Sequence, residues 1–209
     1  MTIFDLYRVF SNYFRPMRMA HFWQRFGSSE ARILDVGGYR WNWELIPHKF
    51  NVTLLNLSVS GSQPKNMTWV VGDGRYLPFK DGSFDVVYSN SVIEHLGRME
   101  DQRLFALECM RVGKCYYIQT PDKRFFIEPH LITPFVHWLP IRAQRLLLRY
   151  FTVWGILSKP DEKQCDAFMN EIRLLDKREL QTLFPDADIW HERFCGMSKS
   201  LIAVKFSQQ

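Results

Sequence analysis

Residues Trp69 to Gly97 read WVVGDGRYLPFKDGSFDVVYSNSVIEHLG, and the way this stretch divides decides the fold. Val70 and Val71 close a β-branched run on Gly72-Asp73-Gly74, a carboxylate between two residues that let a backbone approach a ligand closely. Phe84 to Tyr88 is a second short apolar run, entered through the turn Lys80-Asp81-Gly82-Ser83. It leaves through Ser89-Asn90-Ser91, whose hydroxyls and amide can cap a helix beginning near Val92. Two adjacent strands that both end on polar groups are how an open α/β sheet builds a ligand site.

Several fixed offsets agree here: Gly72-Asp73-Gly74, then Leu77-Pro78-Phe79, Ser83-Phe84-Asp85-Val86-Val87 and Ser91-Val92-Ile93-Glu94-His95-Leu96. In this the stretch resembles the class I S-adenosylmethionine-dependent methyltransferases, and within them the type 11 branch that includes the quinone-biosynthesis methyltransferases. The resemblance implies a Rossmann-like α/β fold: a seven-stranded, mostly parallel sheet with an antiparallel last strand and helices on both faces. It also implies S-adenosyl-L-methionine as cofactor, with Asp73 accepting from the adenine amine, Gly74 beside the ring, and Ser89 and Asn90 under the methionine part.

Upstream, Ala31 to Val36 reads as the first parallel strand and runs directly into Gly37-Gly38. Asp35 and the glycine pair resemble the first methyltransferase motif, in which the carboxylate helps fix the cofactor and the glycines admit its methionine part; a plain helix cap is the other reading of Asp35. Tyr39, Arg40 and Trp41 stand where related proteins commonly carry further glycines. Trp41 to His48 predicts a short crossover helix ending near Pro47, and Val52 to Leu57 the second strand. Asn56 falls where such sites place an acidic residue against ribose hydroxyls, with Leu57 beside it. An amide carbonyl can still accept one hydroxyl proton, without the assistance of charge. Before all this, residues 1–27 have apolar residues at mostly helical spacing, with Pro16 expected to interrupt them. This arm reads as helices packed on the sheet, as a cover for the cofactor site, or as a peripheral membrane contact.

Downstream, Arg98 to Val112 is amphipathic and Cys115 to Gln119 reads as the fifth strand. Phe125 to Leu139, FFIEPHLITPFVHWL, then carries prolines at 129 and 134, with Pro140 just after it, which exclude one continuous helix. Arg142, Arg145 and Arg149 recur on one face of the helical segment that follows. An insertion after the fifth strand lies over the active-site mouth in the fold it resembles, so residues 123–160 are expected to cover the substrate site. A satellite core is the competing reading, and it accounts for Phe135 and Trp138 better than for Glu128 and His130. Ser158 to Gln164 reads as a polar linker, Asp166 to Leu175 and Lys177 to Phe184 as the last helices, and Ile189 to Phe194 with Ser200 to Phe206 as a terminal hairpin.

The 209 residues suit one domain, and 46% hydrophobic with 23% charged residues is ordinary for a globular chain. A net charge of +5 admits an anionic partner, but the basic residues form no dense run, so no specific nucleic acid is expected. Cys109, Cys115, Cys165 and Cys195 lack CxxC spacing, and charged residues interrupt any N-terminal signal-like run. A reducing cytoplasm is the simplest compartment.

Methyl transfer from a sulfonium is an in-line displacement, dominated by positioning. A base is needed only where the acceptor loses a proton. His130 is the first candidate, with Glu128 to orient it or contact substrate and His95 in reserve; ordinary helix polarity competes for Glu94 and His95. No metal-ligand cluster is legible. The acceptor expected is a small molecule, such as a glycan or a lipid-linked intermediate, and the oligomeric state stays open. A catalytically inactive, protein-binding module is the alternative, prompted by Tyr39 and Asn56. A nicotinamide-dependent oxidoreductase is disfavoured because GxGxxG is absent.

Overall fold

The computed structural model describes residues 3–27, 30–47, 50–58 and 67–206. In chain order the elements are α1 (Ile3–Phe26), β1 (Arg32–Val36), α2 (Arg40–Trp43), β2 (Asn51–Asn56), β3 (Met67–Val71) and β4 (Phe84–Asn90). A 3-10 turn (Ile93–Leu96), α3 (Met99–Val112) and β5 (Gly113–Pro121) follow. The insertion holds β6 (Ile127–Glu128), β7 (Thr133–Pro134), a second 3-10 turn (Val136–Trp138), α4 (Ile141–Phe151) and α5 (Val153–Ser158). The chain closes with α6 (Glu162–Glu171), α7 (Lys177–Leu183), β8 (Asp188–Phe194) and β9 (Met197–Lys205).

Seven strands form one sheet in the order β3-β2-β1-β4-β5-β9-β8. The first five are parallel, and β9 runs antiparallel to both β5 and β8. The order reverses between β1 and β4, so the connections leaving these two strands diverge and open a crevice at their C-terminal ends.

The twofold repeat of the strands sorts the core into two layers. Leu34, Val36, Val87, Tyr116 and Ile118 face α3 and α7, meeting Phe105, Cys109, Leu180 and Phe184. Ile33, Val52, Leu54, Val86, Tyr88 and Tyr117 face the other way, onto Met19 and Phe22 of α1 and Trp43 of α2. Cover on both faces is what lets short, continuously apolar strands form a parallel sheet.

The expected break at Pro16 does not occur, since α1 runs through it for 24 residues. An internal proline costs a helix about 3 kcal/mol. Burial of Phe14, Met19, Phe22 and Phe26 offsets that cost. The first crossover helix is a single turn beginning at Arg40, earlier than expected, and His48 lies outside the described residues. After β4 the chain makes a 3-10 turn whose preceding residue, Val92, makes no side-chain cap. The hydroxyls expected to cap it are engaged elsewhere, Ser89 Oγ with the Val36 carbonyl at 2.9 Å and Ser91 Oγ with Gln119 Oε1 at 2.9 Å. The segment read as a polar linker ends in α6, where Asp161 and Gln164 form a reciprocal capping box.

Candidate active site

Two chambers open along the C-terminal ends of the parallel strands. The larger, about 380 Å³, lies between α1, the β4 and β5 ends, and the insertion. The smaller, about 320 Å³, lies beyond β1, β2 and β3. Gly37, Tyr39 and Ser91 line both, so the chambers meet at the switch point of the sheet.

Asn56, Leu57, Asp73, Gly74 and His95 line the smaller chamber. Asn56 Nδ2 donates to the Gly38 carbonyl at 2.8 Å, which fixes the amide orientation and leaves its oxygen to accept. A carboxylate at position 56 would oppose that carbonyl, which gives the amide a local reason. Asp73 is held by Arg75, with Nη2 to Oδ2 at 2.6 Å and the Arg75 backbone N–H to Oδ1 at 2.9 Å. Hydrogen bonds from Arg75 hold the Asp73 carboxyl below its ordinary pKa, although partial burial opposes them. Asp73 therefore presents a fixed anion at the chamber edge.

Two expected cofactor contacts sit behind the wall. Asp35 is fully buried and accepts from Trp43 Nε1 at 2.9 Å, while its other oxygen has no partner among the described residues. A Cβ on Gly38 would lie 1.8 Å from Asp35 Oδ2, so the loop folds directly onto the carboxylate, and Gly37 turns there with φ of 75°. Asp35 thus lies under the glycine loop, bonded to Trp43 and lining neither chamber. Burial pushes its carboxyl up to about 7 against the opposing Trp43 hydrogen bond and the Arg15 charge. Ser89, also fully buried, ties β4 to β1 and reaches neither chamber.

Asn90 does reach the larger chamber, and its Oδ1 accepts from Arg18. Arg18 is buried and also grips Glu192 of β8, with Nη2 to Oε2 at 2.7 Å. With Tyr7, Phe14 and Arg15 it makes α1 one wall of this chamber. Sequence reading offered a cover for the cofactor site as one of three roles for the arm but missed these residues, because spacing along a helix does not reveal which strand end it crosses.

The insertion brings Phe125, Ile127, Pro129, His130 and Ile132 to the same chamber. Glu128 is buried, and its Oε1 lies 2.7 Å from His130 Nδ1 while Oε2 accepts from the Leu131 backbone N–H. Tyr7 donates to the His130 carbonyl. Burial works against a charge on His130, but the carboxylates of Glu128, Glu94 and Glu171 outweigh it and raise its pKa above the ordinary value. His95 stacks edge-on against His130 with centroids 4.9 Å apart, and its own Nδ1 lies 3.0 Å from Glu171 Oε1. Glu94, weighed only as helix polarity or a neighbour of the methyl group, is fully buried in the chamber wall. Thr120 Oγ1 donates to one of its oxygens at 3.1 Å and the other has no partner among the described residues. Ligand atoms of Glu94, His95 and His130 lie within 4.8 Å of one another, a grouping the sequence did not make legible. Ligands around one tetrahedral ion stand about 3.3 Å apart.

Sheet order and crevice together are those of the class I S-adenosylmethionine-dependent methyltransferase fold. Within it, residues 48–115 match the family model described as a methyltransferase domain. S-adenosylmethionine is the cofactor that this family and fold imply. The sites fit it: a glycine loop no side chain could share with Asp35, an amide oxygen and a carboxylate along the smaller chamber, and arginines with an unpartnered Glu94 oxygen in the larger. The PH0226 protein of Pyrococcus horikoshii is similar at 18% identity and a TM-score of 0.54, over 95% of this chain and 89% of that one. A chain of the Haloferax volcanii complex between the Trm112 methyltransferase activator and a candidate methyltransferase gives 11% and 0.57, over 96% and 92%. A Methanosarcina mazei protein described as a SAM-dependent methyltransferase gives 16% and 0.50, over 85% and 92%. No curated protein matches the sequence. These likenesses show the fold, and the resemblance to quinone-biosynthesis enzymes finds no confirmation among them.

Proposed function

We propose that the chain transfers the methyl group of S-adenosylmethionine to a small-molecule acceptor, a glycan or a lipid-linked intermediate, by in-line displacement. The observation that carries this reading is the junction of the chambers at Gly37, Tyr39 and Ser91. Adenosine would occupy the smaller chamber, against Asn56, Leu57, Asp73 and Gly74. The methionine part would pass Gly37 and put its methyl at the junction, facing an acceptor in the larger chamber. Tyr39 narrows that junction, which suits an acceptor presenting one protruding group. Where that group is a hydroxyl, His130 removes its proton while Glu128 holds the ring at Nδ1 and stabilises the imidazolium. His95 is close enough to serve in reserve.

The apolar and aromatic lining from Phe14, Trp41, Phe125, Ile127 and Phe194 favours an acceptor with a hydrophobic part. The test is transfer of isotopically labelled methyl to panels of free sugars, lipid-linked saccharides and apolar phenols. Label entering a hydroxyl-bearing member of the lipid-linked panel, with His130→Gln nearly inactive, is the expected result. Label entering only protein or nucleic acid would overturn the proposal.

A further inference from the structure

The insertion has a second side. Leu148 of α4 is buried with Leu131, Val136 and Cys165, which pins α4 to the strip whose neighbouring residues, His130 and Ile132, line the larger chamber. Backbone contacts reinforce the joint, from Trp154 N–H to the Leu131 carbonyl at 3.2 Å and from Val153 N–H to Thr133 Oγ1 at 3.0 Å. Much of the rest of α4 points outward. Ile141, Leu146, Tyr150 and Phe151 remain 62%, 76%, 65% and 69% exposed, and Trp138, Ile156 and Leu157 on the flanking elements are also exposed. Apolar side chains so uncovered over adjoining elements are unusual on a free surface.

A basic flank lies next to them. Arg142, Arg145 and Arg149 recur at helical spacing, beside Leu146 and Tyr150 around the helix. Arg145 is paired with Asp166 of α6, and Arg149 lies over the Tyr150 ring at 5.3 Å. Cys165 of α6 packs on Leu148, across α4 from Leu146 and Tyr150. An apolar face edged by arginines is the pattern of a helix lying in a lipid interface, its side chains among acyl chains and its guanidinium groups at phosphates. A protein partner would have to offer a matching acidic rim, whereas an anionic bilayer supplies both halves at once.

We propose that the face formed by Trp138, α4 and α5 docks on an anionic lipid bilayer and holds the larger chamber over that surface. This rests on the methyl-transfer reading above and narrows its acceptor to a molecule carried by the bilayer, whose polar head enters the chamber while its apolar part stays in lipid. No described helix is long and apolar enough to cross a membrane.

Vesicle flotation of the full chain tests it, with phosphatidylcholine alone and with phosphatidylglycerol added. Leu146→Glu/Phe151→Glu alters only exposed positions, so circular dichroism and S-adenosylmethionine titration should match the wild type. The expected result is flotation with anionic vesicles, about tenfold or more weaker in this variant, and about fivefold weaker for each of Arg142→Ala and Arg149→Ala. Absence of flotation with anionic vesicles, or equal flotation of wild type and Leu146→Glu/Phe151→Glu, would overturn the proposal. So would a dimer in sedimentation equilibrium that this variant dissolves, since the face would then belong to a second copy. Vesicle binding without any S-adenosylmethionine binding would instead sink the methyl-transfer reading while leaving the docking surface standing.

Discussion

Replacing Asp35 by Asn tests whether the buried carboxyl under the glycine loop is held by the physics described above. Its carboxyl is pushed up from an ordinary 3.8 to about 7, chiefly by burial. Between those values the folded chain keeps a proton that the unfolded chain has released. The associated stability is therefore complete below the unfolded value and disappears as pH rises through the folded one. The slope is about 1.4 kcal/mol per pH unit, and a displacement of roughly three units makes about 4 kcal/mol in all. Asn keeps an acceptor for Trp43 Nε1 but puts an N–H₂ where Asp35 Oδ1 has no partner, at a pH-independent cost of about 1–3 kcal/mol. Asp35→Asn should be less stable than the wild type near pH 4.5 and more stable near pH 8. Urea unfolding at half-unit steps of pH, plotted as the difference between the two proteins, isolates this group from the histidines that titrate in the same range. A difference that stays flat from pH 4.5 to 8 would refute the reasoning.

Four further outcomes follow from the site. Asn56→Asp should weaken S-adenosylmethionine binding and lower stability by about 1–3 kcal/mol, because it opposes the Gly38 carbonyl; tighter binding in calorimetry would show that the ribose, not the loop, governs this position. Arg18→Met removes the buried partner of Glu192 and Asn90 and should cost about 3–5 kcal/mol in urea unfolding, less to the extent that Lys199, 3.1 Å from Glu192, compensates. His130→Gln should lower kcat by about 10²–10⁴ with cofactor affinity unchanged. Because the His130 pKa is raised, wild-type kcat/KM should climb with pH through an inflection above the ordinary histidine value, and Glu128→Gln should move that inflection down; an unmoved inflection would remove His130 from the base role.

Much of this was written in the chain, but unevenly. The parallel strands and the polar ends of β3 and β4 were legible because short apolar runs stopped by Gly-Asp-Gly or Ser-Asn-Ser have few alternatives, but the two strands are not adjacent as expected, since β2 and β1 lie between them. The prolines at 129, 134 and 140 likewise announced a broken segment. Pro16 misled, because the cost of an internal proline is local while the aromatic burial that outweighs it is tertiary. Asp35 and Ser89 were legible in position but not in direction: a strand alternates faces, and both side chains are buried. Arg18 was beyond reach, since it is defined by Glu192 far along the chain, and Glu94 was legible as a helix residue but not as a buried one bonded to Thr120. Glu128 and His130 stood out because a charged pair around a proline in an apolar stretch fits a packed core poorly; His130 lines the larger chamber, while Glu128 lies buried behind it against the imidazole.

Calorimetric titration with S-adenosylmethionine and with its demethylated product, for the wild type and for Asp73→Ala, bears most directly on the central claim that the smaller chamber holds the adenosine. The prediction is one site in the wild type, weakened about tenfold or more by Asp73→Ala as a charge-assisted hydrogen bond is lost. A wild type that binds neither molecule, or an Asp73→Ala variant that binds both as tightly, would contradict it.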